Sequence, residues 1–108
     1  SVSSSCSIEE SILMTGLPSK TDFSDEAIVK MVKDFQKWKK VRMIGSAALA
    51  SAYVSSGKID CYKESGTNLW DVAAGAAIVN AAGGKAEIIS INDDYKVDVI
   101  FSNNKLSL

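Results

Sequence analysis

Residues 12 to 15 read ILMT, a short apolar run bounded by Gly16 and Pro18, which predicts a buried strand ending in a turn. After the polar SKTD, Ala27, Ile28, Met31, Val32, Phe35 and Trp38 recur at helical spacing and share one face. The ends agree with a helix: Asp22 or Ser24 can cap its start, Asp25 and Glu26 fall in its first turn, and Lys37, Lys39 and Lys40 crowd its last, each matching the helix dipole. Val41 to Ile44 reads as a second strand. Gly45-Ser46 then opens a helix from Ala47 to Ser55 that closes at Gly57, a tight strand-to-helix turn whose backbone N–H groups point outward. Ile59 to Lys63 predicts a third strand, followed by a loop ESGTN and a helix of alanine, glycine and aliphatic residues that stops at Gly83-Gly84. Two closing strands are expected at Ala86 to Ser90 and Val97 to Phe101, separated by the polar turn NDDYK. Strands alternating with helices define an α/β layer structure with a mixed or parallel sheet flanked by helices.

Length and composition narrow the function classes. The chain has 108 residues, enough for one compact domain over residues 1 to 108 but small for an enzyme that needs a cleft between two lobes. Apolar residues make up 46% and charged residues 23%, with 12 basic against 13 acidic side chains, so nothing in the charge points to nucleic acid or an anionic membrane as a partner. The most apolar window, 69 to 82, is interrupted by Asp71 and Asn80 and is too short to span a bilayer. No signal peptide is visible, and Cys6 and Cys61, 55 positions apart, have no metal-ligand spacing; both are expected to be reduced thiols of a cytoplasmic protein. The serine-rich first ten residues read as a strand or linker continuing from something upstream, as if the chain were a piece of a longer one.

Histidine is absent, which removes the usual general base near neutral pH and the common zinc sites. Chemistry must rest on carboxylates, hydroxyls, amines or backbone. Asn68 and Asp71 stand three apart at a helix start, a relative of the capping box, so Asp71 reads locally as a cap; a metal role would need more carboxylates nearby. Glu64 follows the third strand, and ligands in α/β sheets gather at strand carboxyl ends, although acids there are often only solvated. Gly45, Ser46 and Ala47 lie at another strand end, where backbone N–H groups could meet a phosphate or polyol, or Ser46 could simply cap a helix. The small residues Ala73, Ala74, Gly75, Ala76 and Ala77 predict close approach to a neighbouring helix or sheet, and Asp93-Asp94 reads as a turn.

Spacing alone names no reaction, but a resemblance does. Trp70-Asp71-Val72-Ala73-Ala74-Gly75, continued by AIVNAAGG, resembles the C-terminal signature of the inositol monophosphatase family. The upstream VRMIGSAALASAYVSSGKIDCYKESG resembles the family's glycine-serine/threonine-alanine-alanine helix and glycine-aspartate strand, and ILMTG and VIFSNNKL extend the match over nearly the whole chain. The family consists of magnesium-dependent phosphomonoesterases with a layered αβαβα fold, of which this chain resembles the C-terminal half. The resemblance implies that Asp71 ligates a catalytic Mg2+ beside the leaving hydroxyl and that Glu64 bonds a substrate ring hydroxyl. It further implies that Gly45, Ser46 and Ala47 line the pocket for a small phosphorylated polyol, an inositol or sugar monophosphate.

Asn80 stands where family members commonly have an acid, a change expected to affect packing rather than metal binding. The family's aspartate-proline-x-aspartate-glycine-threonine block has no counterpart, since the only proline is Pro18, after Leu17. Most metal carboxylates and the groups that position the attacking water belong to that N-terminal half. The chain by itself is therefore expected to be inactive and to expose an apolar face through which it dimerises or associates. The alternatives are a phosphatase of the same fold for fructose bisphosphate, phosphoadenosine phosphate or histidinol phosphate, and a noncatalytic binding or assembly module.

Overall fold

The computed structural model describes residues 1–16, 24–44, 46–91 and 95–106. Among these residues, after a single 3-10 turn at Ile8–Glu10, five strands and three α-helices run in the order β1 (Ile12–Thr15), α1 (Asp25–Phe35), β2 (Lys40–Met43), α2 (Ala47–Ser55), β3 (Cys61–Asn68), α3 (Leu69–Ala81), β4 (Lys85–Ile91) and β5 (Lys96–Ser102). They form one mixed sheet of order β2-β1-β3-β5-β4. The first three strands are parallel, and β5 pairs antiparallel with both β3 and β4. The α/β layered class read from the sequence therefore holds.

Two-residue periodicity divides the sheet between two cores. Met14, Tyr62, Val97, Val99 and Phe101 face α2 and α3, where Ala50, Val54, Val72 and Val79 meet them. Leu13 and Cys61 point to the other side, with Trp38 and the half-buried Ile8, Phe35, Val41, Ile100 and Leu106. Both cysteines are free, and burial, opposed in part by Lys63, pushes the Cys61 thiol up to about 12, so it behaves as a small core residue.

Helix ends follow local chemistry. Ser24 Oγ accepts from Ala27 N at 3.3 Å and Ser46 Oγ from Leu49 N at 3.1 Å, satisfying donors in the first turns of α1 and α2. Helix α3 ends in a Schellman arrangement, with Gly83 at φ +92°, Gly84 N donating to Val79 O and Gly83 N to Asn80 O. The small residues of α3 pack as expected: Gly75 is buried so closely against Ser51 of α2 that an added Cβ would collide with that side chain.

Four expectations need correction. The segment ESGTN is strand rather than loop: β3 continues to Asn68 along β5, absorbing one extra residue between Glu64 and Thr67. Helix α1 is amphipathic as its spacing predicts, but it ends at Phe35, before Trp38 and the three lysines. No α1 residue is fully buried; Ile28 and Val32 of the expected face stay exposed, as does Val29 beside them. The first residues are neither strand nor free linker. Val2 packs on the core, Ser3 Oγ donates to Asp60, and the buried Asn103 donates to Ser3 Oγ and Ser5 O, so this segment is docked at the sheet end where β3 begins and β5 finishes. Asp22, Pro18 and the Asp93-Asp94 turn lie outside the described residues.

Candidate functional site

In a sheet whose parallel strands send their connecting helices to opposite faces, a crevice opens at the strand carboxyl ends. Here β1 ends at Thr15-Gly16, β2 at Met43-Ile44, and β3 runs on beyond β1 through Glu64. Ile44 N donates to Thr15 O at 3.0 Å, which keeps the first two ends together. Because the last β1–β3 pair is Thr15 with Lys63, Glu64 is the first residue of β3 with no β1 neighbour. Its carboxyl folds over the end of β1 against Gly16, a position where any Cβ would overlap Oε1.

Tyr62 lies two residues before Glu64 on the same strand and points into the larger core. Its side chain is fully buried, and its hydroxyl has no hydrogen-bond partner. Burial raises the Tyr62 pKa, and the negative charges of Glu64 and Asp71 raise it further. Glu64 lies close enough to the hydroxyl for each to shift the other, but outside strict hydrogen-bond geometry. Glu64 itself is held above the usual glutamate range by desolvation, offset in part by Tyr62.

Asp71 stands in the first turn of α3, where a negative charge gains about 0.3–1 kcal/mol from the helix dipole. The capping-box expectation fails in one respect, because the Asn68 side chain makes no bond to the helix backbone. Its Nδ2 donates instead to Asp71 Oδ2 at 3.1 Å, and the Leu69 N–H is taken by Tyr95 O. Asp71 is exposed, and beside it Trp70 and Tyr95 form an exposed aromatic pair with ring centroids 6.0 Å apart. Ser46 is committed to capping α2, and Ala47 is half-buried against the core. Gly45 lies outside the described residues. Lys96, whose Nζ donates to Asn68 Oδ1 at 2.5 Å, and Tyr62 were not singled out in the sequence; only the strand alternation could have put Tyr62 on the site's side.

Glu64 and Asp71 are hard oxygen donors of the kind Mg2+ takes, and Asp71 offers an oxygen that makes no hydrogen bond or ion pair. Among the described residues no three acidic or cysteine side chains gather closely enough to hold a metal ion, so Asp71 fits the ion as a single ligand and not as a complete site. No described helix is long and apolar enough to cross a membrane.

A mixed sheet flanked by helices, with acids at the open carboxyl ends of its strands, defines an α/β layered protein whose candidate site lies at those strand ends. The inositol monophosphatase family model matches residues 1–105, and the chain belongs to that family. It is 38% identical over 104 residues to a fructose-1,6-bisphosphatase/inositol-1-monophosphatase of Thermotoga maritima, covering 94% of this chain and 39% of the relative. An inositol-1-monophosphatase of Caulobacter vibrioides is 34% identical over 103 residues, covering 92% of this chain and 40% of the relative. The Mycobacterium tuberculosis SuhB structure superposes with a TM-score of 0.81 at 26% identity, covering 96% of this chain and 40% of that one. The chain thus spans about two fifths of the length of the relatives it matches.

Proposed function

We propose that this chain supplies the substrate-recognition and leaving-group side of a Mg2+-dependent phosphomonoesterase for inositol or sugar monophosphates. The observation that carries the reading is the placement of two acids at the open strand ends: Glu64 folded over the end of β1 against Gly16, and Asp71 in the first turn of α3, which starts where β3 ends. Asp71, on the first turn of α3, would be the chain's one metal ligand, and Glu64 would accept a hydrogen bond from a substrate hydroxyl. The turn at Gly45, Ser46 and Ala47 would wall the pocket through its backbone, since the Ser46 hydroxyl already caps α2. When bound, Mg2+ would activate water and offset charge on the phosphate and leaving oxygen.

One carboxylate binds Mg2+ weakly, because the ion gives up its waters reluctantly. Activity would therefore require the remaining carboxylates and the water-positioning groups of an N-terminal half. The exposed apolar side of α1 and the Trp70–Tyr95 pair are surfaces such a half could cover, and the chain alone would associate through them. Fructose bisphosphate is the second substrate to weigh, because one relative carries both activities in its name.

The test joins this chain to the N-terminal portion of the Thermotoga maritima relative and measures phosphate release. Mg2+-dependent hydrolysis of inositol monophosphate is expected, lost in Asp71→Asn and absent from either part alone. A folded chimera inert towards inositol monophosphate, sugar monophosphates and fructose bisphosphate would overturn the proposal, leaving a noncatalytic assembly role as the reading.

A further inference from the structure

The residue at the N-cap position of α3 serves a carboxylate instead of the helix. Tyr95 O takes the Leu69 N–H at 2.9 Å, so one of the donors at the start of α3 is satisfied from the lead-in to β5. The Asn68 side chain points elsewhere: its Oδ1 accepts from Lys96 Nζ at 2.5 Å and its Nδ2 donates to Asp71 Oδ2 at 3.1 Å. Lys96 is placed for this by the sheet, because it stands opposite Asn68 in the β3–β5 register.

The direction of this relay is fixed by chemistry. An ammonium can only donate, so Lys96 turns the amide oxygen towards itself and leaves the NH2 group facing Asp71. Oδ2 of Asp71 is then occupied, and Oδ1 is the oxygen left to bind something else. The ammonium charge is also kept one side chain away from the carboxylate, where it steadies the amide without forming an ion pair with Asp71.

We infer that Asn68, anchored by Lys96, is a positioning residue that presents Asp71 as a one-oxygen ligand and so favours Mg2+ over Ca2+. The inference rests on the reading of Asp71 as a metal ligand. Mg2+ demands near-ideal octahedral geometry, which suits a carboxylate bound through one oxygen, whereas Ca2+ readily takes both. Partners that orient a ligand commonly contribute tenfold to a hundredfold in metal affinity.

The experiment uses the chimera described above, with Mn2+ as a spectroscopic probe read by electron paramagnetic resonance and Ca2+ as its competitor. Asn68→Ala should weaken Mn2+ binding about tenfold and raise the Mg2+ needed for half-maximal activity by a similar factor. It should also make Ca2+ a stronger competitor, with the substrate KM and the thermal midpoint unchanged. Lys96→Met should shift the same quantities in the same direction by less, and it serves as the readout if Asn68→Ala fails to fold. If Asp71→Asn lowers Mn2+ affinity while the folded Asn68 and Lys96 variants bind as the parent does, the positioning role is overturned and the ligand reading survives. If Asp71→Asn itself leaves Mn2+ binding unchanged, both fall.

Discussion

The Glu64 carboxyl rests directly on the backbone of Gly16, with no room between them for a single methyl group. Two strand ends are thereby locked to one geometry by the absence of a side chain, since the atom that a Gly16 Cβ would meet is Oε1 of the acid proposed to bind substrate. That atom is the end of a flexible side chain, so Gly16→Ala can be accommodated by swinging Glu64 aside. Its stability cost should stay below about 1 kcal/mol, while substrate KM in the assembled enzyme rises about tenfold, the loss of one good hydrogen bond. Denaturant unfolding and steady-state kinetics on the same variant check the two halves; a stable variant with an unchanged KM would detach Glu64 from substrate binding.

Gly75 makes the opposite prediction. Its would-be Cβ meets both Oγ and Cβ of Ser51, which is buried and whose hydroxyl bonds back to Ala47 O at 2.7 Å, so the obstacle belongs to a packed helix. Gly75→Ala should cost about 1–3 kcal/mol as overpacking between α2 and α3, despite the better helix propensity of alanine. Ser51→Gly alone loses about 1 kcal/mol as a helical glycine, but in the Gly75→Ala background it should restore stability. Additive losses in urea melts of the two single variants and the double would show that the two residues do not share that contact.

Burial of Glu64 sets the sign of a pH effect. Its folded pKa lies above the unfolded value, so ionisation is resisted in the folded chain. This group's contribution is undiminished below the unfolded pKa and falls away as pH rises through the folded one. Glu64→Gln should therefore be more stable than the parent at neutral pH, with the gap closing below about pH 4, the ordinary glutamate range. Thermal midpoints from pH 3 to 8 test this, and a gap that widens in acid would reverse the assignment. Tyr62→Phe removes a buried hydroxyl without a partner and should leave the chain equally stable or up to about 1 kcal/mol more so.

How far these features could be read from the sequence depends on what each residue's neighbours are. Residues 12–15 and 47–55 carry their own signals, an apolar run with a turn after it and a serine before a helical stretch, and both elements fall where expected. The strand at Glu64–Asn68 was hidden because Glu, Ser, Gly, Thr and Asn have turn composition, and only pairing with the distant β5 makes them strand. Glu64 and Asp71 were visible as acids at element ends. The contact of Glu64 with Gly16 and the Lys96–Asn68–Asp71 relay were not, because each joins residues brought together by strand order.

The same limit explains α1, whose apolar residues were expected to face a core that covers only part of them. Ala27, Met31 and Phe35 are half-buried, while Val29 and Val32 are 51% and 45% exposed, so the helix presents an apolar stripe to the outside. Exposed apolar stripes of this kind favour association, because burying them returns roughly 25 cal/mol per Å2. The 108-residue chain should therefore form concentration-dependent dimers, and Val29→Lys with Val32→Glu should shift it to monomer without lowering its unfolding midpoint. Sedimentation equilibrium reads the first and thermal melts the second. A parent chain that stays monomeric at high concentration would mean that the stripe is not sticky enough to act alone, and a double variant that unfolds would place these valines in the fold's own core.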